Sequence, residues 1–590
     1  MSEAFAPDAE GGGSWIASTG EKLSQMLCSE SLQGYRRSGL ILLVAFVLLD
    51  AIFAIMGAAP ITGPWDVVAL LDGGWRIING QVPHTDFHNP IGPLTYLLVA
   101  FGMKIGSPST SSIAYGSVLL LALLLPWAWT IAAARLPWAI AFIFVLLAGF
   151  YLVTPRPPGY PIFDTTYAMI YNRQSYVLIS MLILCVFLKS RGIARQSEWR
   201  DGLSVGVVLA LLLYCKITYF VFATGLTLLG MVLDLRPLRF FLAAAGAFAG
   251  VCVAFSVIFR INLYRYVLDI AAAGHSQSPR MRIKLLTQSL GTNAMWLYLL
   301  AFCLALLTWA SVQGSRNRWW GLRAWMVAGA IIAAALLISS GNAAQGGGGD
   351  DPLYFIAVMV FLELFRRSNT EPLAKPGTAA RLAYTASFVL ILPIFWGTIL
   401  ARDMASCAYA LAWDVERRPG FNPSHRLHSA DLRDFYVPPS TAHITAYWPA
   451  RNYAEKINDG IDLLQKYLQK GDRVTTIGFA NPFSFALGLP PARDGYLWWD
   501  LNFSFDRRHF PPAKDFLGDA SLVMVPRITD RKQGCCFDTV EALLELYKDY
   551  FQANFHELAS TDTWVLYRRN PTPQGSPSAV SFVSTILRPL

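Results

Sequence analysis

Charge is scarce in this chain. Asp, Glu, Lys and Arg make up 15% of its 590 residues, against 54% hydrophobic residues and a mean hydropathy of +0.40. Soluble domains carry about 25% charged residues, so this composition indicates a membrane protein. The formal charge of +9 is small for the length. No basic helix or finger spacing accompanies it, and the arginines sit beside apolar runs, which excludes nucleic acid as a partner. The eight cysteines form neither a disulfide framework nor a zinc pattern. Four of them, Cys185, Cys215, Cys252 and Cys303, lie within apolar runs as small hydrophobes. Cys535 and Cys536 are adjacent, and neighbours rarely bridge each other. The glycine run in 341–352 lacks the Gly-Lys-Ser/Thr ending of a phosphate loop, which excludes nucleotide binding there. No cleavable signal pattern precedes residue 39, and no internal repeat is visible.

What the chain does have is a succession of apolar runs. A crossing helix needs about 20 such residues. The first run, 40–59, follows a polar tail, 1–38, and reads as a span that doubles as an uncleaved targeting signal. Further runs lie at 111–134, 137–153, 174–188, 202–215, 218–233, 240–259, 293–311, 325–340, 353–364 and 382–400. The segment 92–106 is apolar but short and rich in Gly and Pro.

Charge placement decides its status, because Lys and Arg accumulate on the cytoplasmic side. The groups around Arg36, Arg191, Arg236, Arg318 and Arg366 share one side only if 92–106 does not cross. The expectation is therefore a polytopic α-helical membrane protein of about eleven spans, with an interfacial helix pair in its first outer loop. Its transmembrane domain is 39–400, with outer loops 60–110, 154–173, 260–292 and 341–352 and a tight outer turn at Lys216. Residues 401–570 read as a soluble extracytoplasmic α/β domain. Helical periodicity at Tyr453–Leu468 and Val540–Tyr550 alternates there with strands at Arg473–Phe479, Ser521–Val525, Phe555–Leu558 and Trp564–Tyr567. Residues 571–590 are Pro/Ser-rich and read as a loose tail.

The most informative stretch is Pro64–Gly106. Asp66 and Asp86 bracket an amphipathic segment, Val67–Asn79, that Gly80 stops and Pro83 follows. Asp66, Gly80, Pro83, Asp86, Phe87 and Pro93 occur in the order and at about the spacing of the first extracytoplasmic loop of GT-C integral-membrane glycosyltransferases. The stretch resembles that class, which includes protein O-mannosyltransferases and lipid A aminoarabinose transferases. Two positions depart from the pattern: Val67 stands where a second acid is common, and His84 replaces a tyrosine.

The resemblance implies an inverting transferase that moves a sugar from a polyprenyl-phosphate donor to a lipid, glycan or protein acceptor at the outer face of a membrane, such as a bacterial inner membrane. Such a transfer needs a base for the acceptor hydroxyl and cations for the departing phosphate. Asp66 is the expected base, with helix capping as its alternative. Asp86, His84 and Asp72 are expected to orient the acceptor; Asp86 equally suits an Asx turn, and Asp72 a solvated face. Arg173, Lys216, Arg280, Arg282 and Lys284 are expected to hold the donor phosphate, the last three from a mobile loop. Snorkelling or headgroup anchoring explains the same cations. The sequence names no cofactor and leaves a divalent metal open. Asp350 and Asp351 read as solvated acids, with a divalent cation as the alternative. The aromatic stretch 495–510 suits sugar rings, but also a core. A lipid-linked glycan flippase, or a glycan polymerase or ligase, is the competing function. The flippase predicts several mid-span charges and inverted repeats; this sequence has few such charges, among them Asp50, and no repeat.

Overall fold

The structure, a computed structural model, describes residues 32–58, 61, 63–190, 194–276, 279–314, 318–342, 351–368, 397–417, 427–429, 432, 435–437, 453–527 and 537–571. Nine helices build most of the apolar part: α1 (Leu32–Met56), α4 (Thr110–Ala133), α5 (Trp138–Val153), α6 (Ile170–Phe187), α7 (Ala194–Cys215), α8 (Ile217–Val232), α9 (Leu238–Ile258), α12 (Ala294–Gly314) and α13 (Arg318–Asn342). α14 (Pro352–Ser368) and α15 (Gly397–Arg417) complete the described bundle. Among the described residues, five stretches are long and apolar enough to cross a membrane, within α1, α4, α6, α9 and α13. Most of the expected span at 382–400 lies outside the described residues.

Between α1 and α4 the chain forms two short helices, α2 (Pro64–Ile78) and α3 (Leu94–Ile105). Twelve residues of helix reach about 18 Å, well short of a hydrocarbon core of about 30 Å. α3 instead packs between α2 and α4. The segment 92–106 is thus too short, as a helix, to cross by itself.

Polar contacts sort the helix ends into two groups. At one end Arg135, just beyond α4, pairs with Asp201 near the start of α7 and donates through Nε to Leu188 O, at the end of α6, at 2.9 Å. Arg236, between α8 and α9, pairs there with Glu198 at 3.1 Å and Asp201 at 3.4 Å. At the other end lie the 60–93 loop, α10 (Leu263–Ser276) and the C-terminal domain. Successive helices alternate between these ends, as the charge rule requires.

The expected 260–292 loop is helical throughout most of its length. α10 and α11 (Pro279–Thr292) are amphipathic: α10 buries Tyr266, Asp269 and Ala273 and exposes Leu263, Tyr264 and Val267. The boundary expected at residue 400 falls inside α15, which packs on α1 and α5 as part of the bundle.

The C-terminal unit begins with α16 (Tyr453–Tyr467). It carries a four-stranded sheet of order β1-β2-β4-β3, made of β1 (Val474–Thr476), β2 (Leu522–Pro526), β3 (Phe555–Ser560) and β4 (Trp564–Arg569). β1 and β2 are parallel, and the other pairs are antiparallel. α16 lies on this sheet, with Trp564 fully buried and its Nε1 donating to Lys456 O at 2.7 Å. The expected helix at Val540–Tyr550 is two helices, Phe537–Leu546 and Lys548–Asn554, broken at Tyr547.

Candidate active site

Pro64 opens α2 at its first position, where a missing N–H costs nothing, and Gly80 closes the segment at φ +83. Asp66 therefore sits in the first helical turn rather than at the N-cap, which is Gly63. There its charge meets the positive end of the helix dipole. The side chain is half-buried. Burial pushes its carboxyl up to about 6, a bond from its own amide opposing the shift. Trp65, beside it, meets the Tyr453 ring edge-on at 4.6 Å, so the start of α2 is pinned to α16.

Three elements converge on this aspartate. Its charge reaches the hydroxyls of Tyr96, on α3, and Tyr171, at the start of α6. Lys216, between α7 and α8, lies 5.0 Å over the Tyr171 ring and donates to Asn172 Oδ1 at 2.9 Å. Burial pushes its ammonium down to about 8. From the C-terminal domain comes Asp500, half-buried, with its carboxyl raised to about 7 by burial and by the Asp66 charge.

Close backbone approach makes this convergence possible. Gly92 donates to Cys215 O at 3.2 Å, and a Cβ there would lie 2.1 Å from Tyr214 O. A Cβ on Gly73 would lie 2.4 Å from the Tyr96 ring. Only glycine lets the Pro-rich turn rest on the end of α7 and α2 rest on α3.

The turn 82–88 is held by two partners. Asp86 Oδ2 accepts from Val82 N at 2.8 Å, the turn role that was its alternative, and its carbonyl accepts from Asp494 N at 2.6 Å. His84 is buried with φ +63, a conformation uncommon outside glycine. Its Nδ1 lies 2.8 Å from Asp269 Oδ2, and His88 Nδ1 lies 2.8 Å from Asp269 Oδ1. One carboxylate of α10 thus clamps two histidines of the first loop. His84 belongs to this clamp. Burial lowers its pKa more than Asp269 raises it. For His88 burial also acts downward, but Asp269, Asp494 and Asp515 outweigh it and the net shift is upward.

The other expected residues are placed differently. Asp72 is buried and ion-paired with Arg76 at 2.9 Å, and Arg76 continues to Ala492 O at 2.7 Å. That pair docks α2 on the C-terminal domain and is not solvated. Arg173 is fully buried: Nη2 meets Asp403 Oδ2 at 2.6 Å, Nε donates to Tyr151 O, and Nη1 donates to Arg156 O. Arg156 meets the other oxygen of Asp403 at 2.8 Å. Arg280, Arg282 and Lys284 are exposed on α11. Arg280 and Lys284, four apart, share a face, whereas Arg282 Nη2 donates back to Gly274 O at 3.1 Å. Asp351, expected to be solvated, is buried; it accepts from Leu353 N and the Tyr176 hydroxyl, both at 2.9 Å, at the start of α14. Asp350 lies outside the described residues. Among the described residues no group of three metal-binding side chains occurs.

Sequence reading singled out the stretch 495–510 but not Asp500 within it, and it missed Asp269, Tyr96 and Tyr171. Asp269 carried a signal: it is the single acid in an otherwise basic stretch, 260–292.

No family model matches this sequence, and no curated protein matches it. Two solved structures align with it. The crystal structure of ArnT from Cupriavidus metallidurans bound to undecaprenyl phosphate aligns over 91% of this chain and 100% of its own, at 11% identity and a TM-score of 0.44. The apo structure of the same protein aligns over 91% and 99%, at 12% identity and a TM-score of 0.43. Likeness at that level leaves the functional reading to the residues themselves.

Proposed function

We propose that the chain is an inverting glycosyltransferase that moves a sugar from a polyprenyl-phosphate donor to an acceptor hydroxyl at the membrane surface. Asp66 takes the proton of the acceptor hydroxyl. The freed oxygen attacks the anomeric carbon from the face opposite the phosphate. The bond from that carbon to the phosphate oxygen breaks, and polyprenyl phosphate leaves as an anion. Lys216 supplies positive charge to the leaving phosphate. Arg280 and Lys284, exposed on one face of α11, meet the anionic head group as it enters. Arg173 braces the bundle through Asp403 and is not part of this proposal.

One observation carries the reading. Asp66 is half-buried, its carboxylate accepts from no described residue but itself, and Tyr171 links it to the half-buried Lys216. A general base works best with a pKa near the working pH, and an ordinary exposed aspartate, at about 3.9, is far weaker. The Asp66 carboxylate is mostly ionised at pH 7 and becomes protonated as pH falls through about 6. Transfer by the purified protein in nanodiscs should therefore fall on the acid side with a midpoint near that value. Asp66→Asn should lower the turnover about 10²–10⁴-fold while the protein still elutes as a monodisperse peak. A folded Asn variant with near-full transfer would rule the assignment out.

A further inference from the structure

The residues that follow the Asp86–Asp494 contact form a part of the site that the transfer chemistry above does not use. Leu497 N donates to His88 O at 2.9 Å, and Trp499 N donates to Phe479 O at 2.8 Å, so this strand-like stretch is fixed between the first loop and the domain core. Asp500 then starts a tight turn. Its N–H donates to Ser504 Oγ at 2.8 Å, its carbonyl accepts from Phe503 N and Ser504 N, and Leu501 N donates to Thr539 Oγ1 at 3.1 Å. The backbone of Asp500 is thus locked, yet its half-buried carboxylate accepts no hydrogen bond from any described residue. Two places earlier, on the same side of the strand, is Trp498. Its ring is half-exposed, and its buried indole N–H lies near the Tyr96 hydroxyl without forming a bond of good geometry.

A rigidly held carboxylate without a donor beside Asp66, and a half-exposed indole ring two places before it, call for a ligand with several hydroxyls and a flat apolar face. Polar groups held from water without partners are costly, and a pyranose hydroxyl supplies the bond that Asp500 lacks. We infer that Trp498 and Asp500 form the acceptor subsite and that the acceptor is a carbohydrate. Its nucleophilic hydroxyl faces Asp66, a neighbouring hydroxyl donates to Asp500, and its C–H face lies against Trp498. A lone serine or threonine hydroxyl would leave Asp500 without a donor and the Trp498 ring uncovered. This inference rests on the transferase reading and names the class of acceptor for it.

The test uses the full chain in nanodiscs with a mixture of polyprenyl-phosphate hexoses and pentoses as donors. Methyl glycosides are compared, as acceptors, with a blocked serine peptide. The methyl glycosides should be the better acceptors. Asp500→Asn should raise their KM about tenfold or more, the loss of one charge-assisted bond, and change kcat less than threefold; Trp498→Phe should also raise KM. The serine peptide should show no such KM change. An unchanged glycoside KM in both variants, equal effects on the two acceptor classes, or preference for the serine peptide would overturn the inference. Binding of methyl glycosides, followed by intrinsic tryptophan fluorescence, separates the two readings. If no donor supports transfer but glycosides bind and Asp500→Asn abolishes binding, the transferase reading fails and the carbohydrate subsite stands. If the wild-type protein binds no glycoside, the subsite falls.

Discussion

Asp403→Asn tests whether Arg173 braces the bundle or serves the donor. Asp403 is fully buried, and its two oxygens each meet a different buried guanidinium, Arg156 at 2.8 Å and Arg173 at 2.6 Å. Asparagine keeps the shape but offers one acceptor, so one guanidinium then faces an amide N–H. Both cations also lose their countercharge. Removing one partner of a buried ion pair costs about 3–5 kcal/mol. Arg173 retains the carbonyls of Tyr151 and Arg156, which holds the loss within that range rather than above it. At roughly 2–4 °C per kcal/mol for a large domain, the thermal midpoint should fall on the order of 10 °C in a heated size-exclusion assay. The triple variant Arg156→Met, Arg173→Met, Asp403→Leu should recover only part of this, because it removes the charges but leaves those carbonyls without donors. Donor KM should be near normal in the fraction of Asp403→Asn that remains folded. A midpoint within about 2 °C of wild type would refute the argument, since a buried pair broken at this cost cannot be thermally silent. So would a fully stable Arg173→Met protein with a strongly raised donor KM.

Two further outcomes follow from the same geometry. Gly92→Ala places a methyl 2.1 Å from Tyr214 O, so the turn must leave the end of α7; a displacement near 1 Å at a site can cost about 10²-fold, and turnover should fall by 10- to 100-fold on that scale with a smaller change in thermal midpoint. The Asp269 clamp should make stability depend on pH: burial raises the Asp269 carboxyl, but its bonds to His84 and His88 outweigh this and hold it low, so its contribution is present above about pH 4 and lost below it. His88 has a raised pKa, so its contribution is complete below about pH 6.5 and is lost as pH rises through the higher folded value. The thermal midpoint should therefore drop between pH 6 and pH 9, and Asp269→Asn should flatten that drop; an unchanged slope in the variant would show that the clamp is not its source.

Much of the fold was legible because its causes are local. The proline and glycine that start and end α2, the short Gly/Pro-rich segment that became α3, and the four strands of the C-terminal sheet each follow from residues within a few positions of one another. The sequence could not show that Arg173 pairs with Asp403, because that partner lies 230 positions away. As a lone outward arginine it looked available to a phosphate. The helix that carries Asp403 was misread for the complementary reason: Arg402, Asp403 and Arg417 made 401–417 look soluble, and only the facing arginines explain the buried acid. Asp72 looked solvated because its bond with Arg76 matters only once Ala492 closes over it.

These errors share a physical origin, which also explains why the site itself is recognisable. Ions in a low-dielectric bundle need countercharges. Many at the ends of this one have them: Arg135 with Asp201, Arg236 with Glu198, Arg156 and Arg173 with Asp403, Arg76 with Asp72 and Asp269 with two histidines, whereas Asp351 has neutral donors and Asp50 none among the described residues. Read as isolated residues, any of these charges could have been functional; read as pairs, each has a structural reason to be where it is. Asp66 and Asp500 differ. Each is raised toward neutrality by burial, each is held on a fixed backbone, and neither carboxylate is bonded to another described residue. Stability gives no reason to keep two such groups within electrostatic reach of each other, since each raises the cost of ionising its neighbour. A ligand that takes a proton-transfer partner from one and a hydroxyl bond from the other gives that reason. This is why the acid limb of the pH profile, and the KM of a carbohydrate acceptor, are the measurements on which the functional reading turns.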